Sequence, residues 1–466
     1  MNKQRTHTST TATEILIIGG GYVGVHAYRS LMRRAGAQVR SGAIAITVID
    51  PLTHHTFHGW SGETVGGVMA DANRLSPLRE VFPQARVLRG RVVRIDAARK
   101  SVAYRPVDGD RDILLPYDAL VIGAGVGAKH EGVTGLWEHG LTLHGAGGPE
   151  AVRAHVIGTI ERAEATFDPR ERQRLLTYVI AGAGFTGVEV AAAIAELLHV
   201  LTPRYPVLRE IMPRVELVHA GGTVLPELAA TSKLVAYAND SLKKGGVHLR
   251  FWTRLVEITA DGAALSDGLR IPSATVISTI GTSIGVIPGT EGFARDARNR
   301  IVVDQALRVP GADGVWAGGD NACVARARDG RPTPPNAIWA IRHGQFIGRA
   351  IARSLTNRDI APFNSPGLGQ AASLGIGKGI MELWGTEWTG MTAWIVRLVV
   401  FLYYMPSRRV GLKALAAWTT LPIAGRTVTL GAMKERPVTQ RNEETDGLLA
   451  LGDRFLRFGD LTGGWN

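Results

Sequence analysis

Residues 14–24 read Glu14-Ile15-Leu16-Ile17-Ile18-Gly19-Gly20-Gly21-Tyr22-Val23-Gly24: an apolar run, a glycine turn, and then helical spacing from Val25 to Arg34. Strand, turn and helix in that order open a βαβ unit. Glycines at 19, 21 and 24 let the chain turn tightly, bring backbone N–H groups up to a pyrophosphate, and let the helix pack closely on the strand. The next apolar run, Ile44 to Ile49, ends at Asp50, an acid placed to bond ribose hydroxyls. That context turns a weak glycine motif into a dinucleotide site.

The pattern recurs. Tyr178-Val179-Ile180 leads into Gly182-Ala183-Gly184-Phe185-Thr186-Gly187, an Ala-rich helix from about Val188 to Val200, and the strand Val215-Glu216-Leu217-Val218. The second unit ends on His219 instead of an acid. A neutral imidazole does not repel a 2′-phosphate as a carboxylate would, and no Arg or Lys follows at once to grip one, so NADPH is permitted beside NADH. The alternative reading of His219 as a plain strand-end residue stays open. Tyr117 to Gly125, with Gly123 in its turn, and Ala274 to Gly281 read as crossovers between two domains. Val315-Trp316-Ala317-Gly318-Gly319-Asp320 repeats the strand-to-glycine idea, and Pro335 suits the first turn of a helix running to about Arg353.

These segments predict an α/β chain of two Rossmann-like domains, the second inserted in the first, followed by a C-terminal region of amphipathic helices. The boundaries expected are a disordered tail over 1–13, a first dinucleotide domain over 14–125 and 285–369, a second over 126–284, and the C-terminal region over 370–466. From Met391 to Met405 the only charge is Arg397, and Arg408, Arg409 and Lys413 follow. Fifteen helical residues cover about 22 Å, short of the roughly 30 Å hydrocarbon core. The segment reads as a helix lying in a membrane interface, with basic groups toward anionic lipid, or as a helix packed on the domain or on a second copy in a homodimer.

Composition narrows the function further. Of 466 residues, 45% are hydrophobic and the net charge is +12, which favours anionic partners. Arg is scattered, with no basic run interleaved with aromatics, so nucleic acid is not an expected partner. The single cysteine, Cys323, excludes a disulfide within the chain and a dithiol relay beside a flavin. His54, His55 and His58 look like metal ligands by type, but adjacent histidines on an extended loop point apart and no carboxylate joins them; no metal is expected. The N-terminal stretch lacks the apolar core of a secretory signal, and the chain is expected to stay inside the cell.

Two dinucleotide sites with the Gly318-Gly319-Asp320 turn resemble the flavoproteins with two dinucleotide-binding domains. Within them the chain resembles type II NADH dehydrogenase, the single-subunit NADH:quinone oxidoreductase. Four features carry this: Ile49-Asp50 with His54-His55-Thr56-Phe57, Gly184 to Glu189, Trp316 to Asp320, and the C-terminal part beginning Ala372-Ser373-Leu374-Gly375. The resemblance implies FAD in the first domain, held by Gly19, Gly21, Gly24, Asp50, Gly123, Asp320 and Ala337. It implies NADH in the second, held by Gly182, Gly184, Gly187 and His219, and a quinone as acceptor, without proton pumping, on the inner face of the cell membrane. Glu189 matches a family glutamate near the nicotinamide and quinone pockets; its plain reading is a helix-start carboxylate favoured by the dipole. The family pattern Ala-Gln-x-Ala-x-Gln is replaced by Ala337-Ile338-Trp339-Ala340-Ile341-Arg342. Both glutamines are missing, so either the acceptor differs or Trp339, Arg342 and His343 hold it. A soluble FAD-dependent NAD(P)H oxidoreductase with another acceptor, or a flavin-binding sensor, are the alternatives.

Overall fold

The computed structural model describes residues 12–128, 132–143, 148–229 and 232–426. The expected tail up to residue 11 and the C-terminal stretch past 426 lie outside them. The chain enters by β1 (Thr13–Ile18), turns through three glycines into α1 (Tyr22–Arg40), and returns by β2 (Ile44–Asp50). A short helix, α2 (Ser61–Val65), precedes β3 (Arg86–Asp96), β4 (Ser101–Pro106), β5 (Ile113–Pro116) and β6 (Ala119–Ile122). The second Rossmann pattern then unfolds as β7 (Leu141–Thr142), β8 (Thr177–Ala181), α3 (Phe185–Leu201), β9 (Arg214–Val218), β10 (Val247–Arg250) and β11 (Thr275–Ser278). β12 (Val315–Ala317) and α4 (Ala337–Ser354) follow. The chain continues with a hairpin sheet, β13 (Gly369–Ser373), β14 (Gly379–Leu383) and β15 (Thr386–Thr389), and two helices, α5 (Gly390–Tyr404) and α6 (Arg408–Ala424).

Two compact units result. The first takes residues 1–56, 75–126 and 286–368, and the second takes 57–74, 127–285 and 369–466. The sheet of the first runs β12-β6-β1-β2-β3-β4-β5, parallel from β12 to β3 and antiparallel beyond. That of the second runs β7-β11-β8-β9-β10 and is parallel throughout. Parallel strands are covered on both faces, which is why β1 reads as an unbroken apolar run: Ile15, Leu16, Ile17 and Ile18 are all buried. Residues 57–74, an excursion from the first Rossmann pattern, belong to the second unit, so the split is more interleaved than one insertion predicts.

Close approach of helix to strand repeats in both units. A Cβ on Gly24 would lie 2.1 Å from the carbonyl oxygen of Gly19, and one on Gly187 would lie 1.8 Å from that of Gly182. Helix α4 starts two residues later than Pro335 suggests. Its N-cap is Asn336, whose side chain accepts from the Trp339 N–H at 3.0 Å; Pro335 lies outside the helix. Overpacking of this kind costs about 1–3 kcal/mol. Gly24→Ala and Gly187→Ala are therefore each expected to lower Tm, measured by circular dichroism. Unchanged melting in both would contradict the close approach.

Candidate functional site

The first glycine loop is held from both sides. Asp50 accepts from the Gly20 N–H and the Leu52 N–H, each at 2.7 Å, and His55 Nδ1 lies 3.0 Å from the Gly20 carbonyl oxygen. A carbonyl only accepts, so His55 carries a proton on Nδ1; burial lowers its pKa to about 4. Its ring stands edge-on to Tyr22 at 4.8 Å. His55 thus supports the loop, a role that its neighbourhood of histidines conceals in the sequence. Burial raises the Asp50 pKa against the two backbone hydrogen bonds. A carboxylate has about four acceptor positions, so Asp50 can support the loop and still accept from a ribose.

Opposite this loop, the Gly123 carbonyl oxygen lies 2.3 Å from where a Gly19 Cβ would stand. The Asn321 amide ties the same turn together, donating to the Ile122 carbonyl at 3.3 Å and accepting from the Gly125 N–H at 3.2 Å. Burial pushes Asp320 up to about 6, with Arg300 opposing. Gly19, Gly21, Gly24, Asp50, Gly123, Asp320 and Ala337 all belong to this one unit.

Of the two catalytic candidates on α4, His343 is turned into the core and Arg342 is half-buried. His343 is 1% exposed and its Nδ1 accepts from the Gly319 N–H at 3.0 Å. Burial lowers its pKa to about 3. With Trp339, 9% exposed, it packs around Phe363. A ring committed in this way braces the glycine turn before Asp320. Arg342 donates to the Gln345 side chain at 3.3 Å and acts on His26 and Arg349.

In the second unit the Ala183 N–H is 3.4 Å from His219 Nδ1, so His219 reaches back to its own fingerprint loop. The Glu227 carboxylate lies beside Gly184, and burial raises its pKa.

Sequence reasoning missed a cluster that forms around Glu189. Arg397 is 1% exposed and bridges two carboxylates: Nη1 to Glu63 Oε1 at 2.6 Å and Nη2 to Glu189 Oε1 at 2.8 Å. It also donates to the Gly59 carbonyl at 2.9 Å, and its guanidinium lies 4.3 Å from the Phe401 ring centroid and 5.5 Å from that of Trp60. Glu189 further accepts from the Ser373 N–H at 2.9 Å. Burial raises the Glu189 pKa; Arg397 opposes and Glu63 adds to the rise. Two carboxylates around one cation leave an excess negative charge, and the group is inclined to hold a proton. A cleft of about 300 Å³, counted with its open mouth, is lined by Glu63, Glu189, Glu196, Ser373, Trp418 and Arg426, among others. One signal was available: a lone arginine in an apolar helix needs a buried partner or an exit to water.

The pyridine nucleotide-disulphide oxidoreductase family matches residues 8–344. The chain is 28% identical over 431 residues to the type II NADH:quinone oxidoreductase Ndh of Mycobacterium tuberculosis, covering 88% of each. It is 24% identical over 392 residues to the type II NADH:quinone oxidoreductase of Staphylococcus haemolyticus, covering 83% of this chain and 94% of the other. The structure of NDH2 from Plasmodium falciparum in complex with NADH shares the fold with a TM-score of 0.81 at 14% identity, over 90% of this chain and 99% of that one. The resemblance drawn from the motifs is met by relatives of the same kind.

Removing one partner of a buried ion pair costs about 3–5 kcal/mol. Arg397→Met is expected to lose stability on that scale. Glu189, whose folded pKa burial already holds above its unfolded value, would lose the opposing guanidinium, so its stabilising contribution is complete below about pH 4 and is lost as pH rises. Melting temperature of the variant should therefore recover as pH falls from 8 to 5, more steeply than that of the parent. A loss independent of pH would contradict the charge account.

Proposed function

Because the chain belongs to the pyridine nucleotide-disulphide oxidoreductase family, we propose that it is a type II NADH:quinone oxidoreductase, with FAD in the first Rossmann unit and NADH in the second. The observation that carries the dinucleotide sites is the pair of open helix ends. At Gly21 and Gly184, the N-caps of α1 and α3, no side chain caps the first turn, and each helix start follows a glycine turn at the end of a parallel strand. Uncapped amides at a helix start suit a pyrophosphate.

FAD, when bound, supplies the acceptor for a hydride and returns two electrons. The residues do the rest. Asp50, steadied by the Gly20 N–H, offers acceptor positions to ribose hydroxyls, and Asp320 offers its carboxyl to the flavin's side chain. Glu189, sharing Arg397 with Glu63, is suited to hold the proton that reduction of a quinone consumes. Cys323 is the chain's single cysteine, so electrons cannot leave through a protein dithiol despite the family's name.

Helix α5 supports a peripheral membrane position, taken here to be on the cytoplasmic face. Anchored through Arg397, it exposes Met391 (57%), Ile395 (46%), Val399 (60%) and Tyr403 (79%), spaced four residues apart along one stripe. At 15 residues it is too short to cross a bilayer. The longer apolar helix over Phe185–Arg204 is 67% buried and belongs to the Rossmann core. Nothing in this arrangement calls for proton pumping.

Anaerobic NADH is expected to bleach the purified yellow protein, and a short-chain quinone to restore its colour. A flavin that NADH leaves oxidised would rule out the reading. Ile395→Glu with Val399→Glu should abolish sedimentation with anionic liposomes while NADH still bleaches the flavin in detergent; retained sedimentation would remove the role given to α5.

A further inference from the structure

Strands β8, β9 and β10 lie side by side and run parallel, so their C-terminal ends line one edge of the sheet. Beyond them come, in that order, the fingerprint loop from Gly182, the loop His219 to Gly222, and Phe251-Trp252. In open α/β sheets ligands bind off this edge. A dinucleotide whose pyrophosphate rests on the fingerprint can extend across the neighbouring strand ends.

Trp252 stands there in an unusual state. It is 80% exposed and has φ of 60°, a left-handed backbone that bulky side chains rarely adopt. Local bonds hold it in place: its N–H donates to the Gly221 carbonyl at 3.1 Å, and the next N–H, of Thr253, donates to the His219 carbonyl at 3.2 Å. The indole packs against Gly222, where a Cβ would come within 2.2 Å of the ring. Through the His219 ring the same loop is tied to the Ala183 N–H of the fingerprint. Trp384 shares the left-handed φ and the exposure, but it occupies the two-residue turn between β14 and β15, where a hairpin demands that conformation. Trp252 follows a parallel strand, and no hairpin accounts for it. The strained backbone keeps an aromatic face in water beside the fingerprint loop, and strain of this kind clusters at ligand sites.

We propose that Trp252 is the stacking platform for the adenine of the nicotinamide dinucleotide, with His219 and the Gly221-Gly222 backbone beside the adenosine ribose. This rests on the second Rossmann unit holding NADH, and it names the residue that grips the half of NADH remote from the hydride. Stacking needs a flat apolar face and tolerates any base, which the exposed indole provides. The absence of an acid after β9, puzzling in the sequence, then has a physical counterpart: adenosine is gripped by stacking and not through a carboxylate on the ribose.

The test compares the full-length, flavin-loaded protein with Trp252→Gly and Trp252→Phe. ADP-ribose carries the adenosine and both phosphates but no nicotinamide; reduced nicotinamide mononucleotide carries the reactive ring but no adenine. Trp252→Gly is expected to weaken ADP-ribose, measured by calorimetry, by roughly tenfold. KM for NADH should rise by a similar factor, with the effect on KM and not on kcat. KM for reduced nicotinamide mononucleotide should stay as in the parent. Trp252→Phe should recover most of the affinity, and Trp252→Gly, which relieves the left-handed strain, should melt no lower than the parent. Equal ADP-ribose affinity in parent and Trp252→Gly, or parallel losses for NADH and the mononucleotide, would overturn the proposal. A parent that binds ADP-ribose through Trp252 yet is not reduced by NADH would sink the oxidoreductase reading and leave the adenine site standing.

Discussion

A guanidinium taken out of water needs its charge matched and its N–H groups bonded, and the second unit is organised around meeting that need for Arg397. Glu63 comes from α2, Glu189 from the first turns of α3, and the Gly59 carbonyl from the segment before α2. Phe401 and Trp60 add their ring faces. Two stretches far apart in sequence, residues 59–63 and the start of α3, are thereby fastened to one side of α5. Desolvation makes the arrangement costly to leave incomplete, so α5 has a defined rotation about its axis. That rotation decides which residues remain outside: the stripe of Met391, Ile395, Val399 and Tyr403 is exposed because Arg397 faces inward. The same cluster sets the chemistry of Glu189, which shares its cation with a second carboxylate.

The glycine loops follow a different logic. On the proposed reading their backbone N–H groups meet a pyrophosphate, so the surroundings must support the loop without filling it. In the first unit Asp50 and His55 take the N–H and carbonyl of Gly20, a residue between the two fingerprint glycines, and leave the helix start uncapped. In the second, His219 reaches the Ala183 N–H while Gly184 stays uncapped. The two loops therefore share their covalent pattern and differ in their supports.

Much of this was legible in the chain. The Gly19 to Gly24 and Gly182 to Gly187 runs, each after a continuous apolar strand, identify the two Rossmann starts because glycine spacing and strand burial are local properties. The helices proved longer than their clear periodicity, α1 reaching from Tyr22 to Arg40 where Val25 to Arg34 was expected. The start of α4 was misplaced because Pro335 is compatible with a first turn but Asn336 supplies the cap. The packing of His343 and Trp339 was not legible for a deeper reason: residue type and helical position do not reveal which face is inward, and both face the core around Phe363.

By itself the sequence determined the fold class, the two dinucleotide loops and the absence of a dithiol, since each follows from residues adjacent in the chain or from a count of cysteines. The tertiary structure alone decided that Glu63 and Arg397 belong with Glu189, that His55 supports a glycine loop, and that Trp252 stands at the strand ends beside His219. Those groupings join residues as much as 334 positions apart, as Arg397 and Glu63 are. The physical reason is that pairing of buried charge and satisfaction of backbone groups are conditions on the packed whole, which no local pattern encodes.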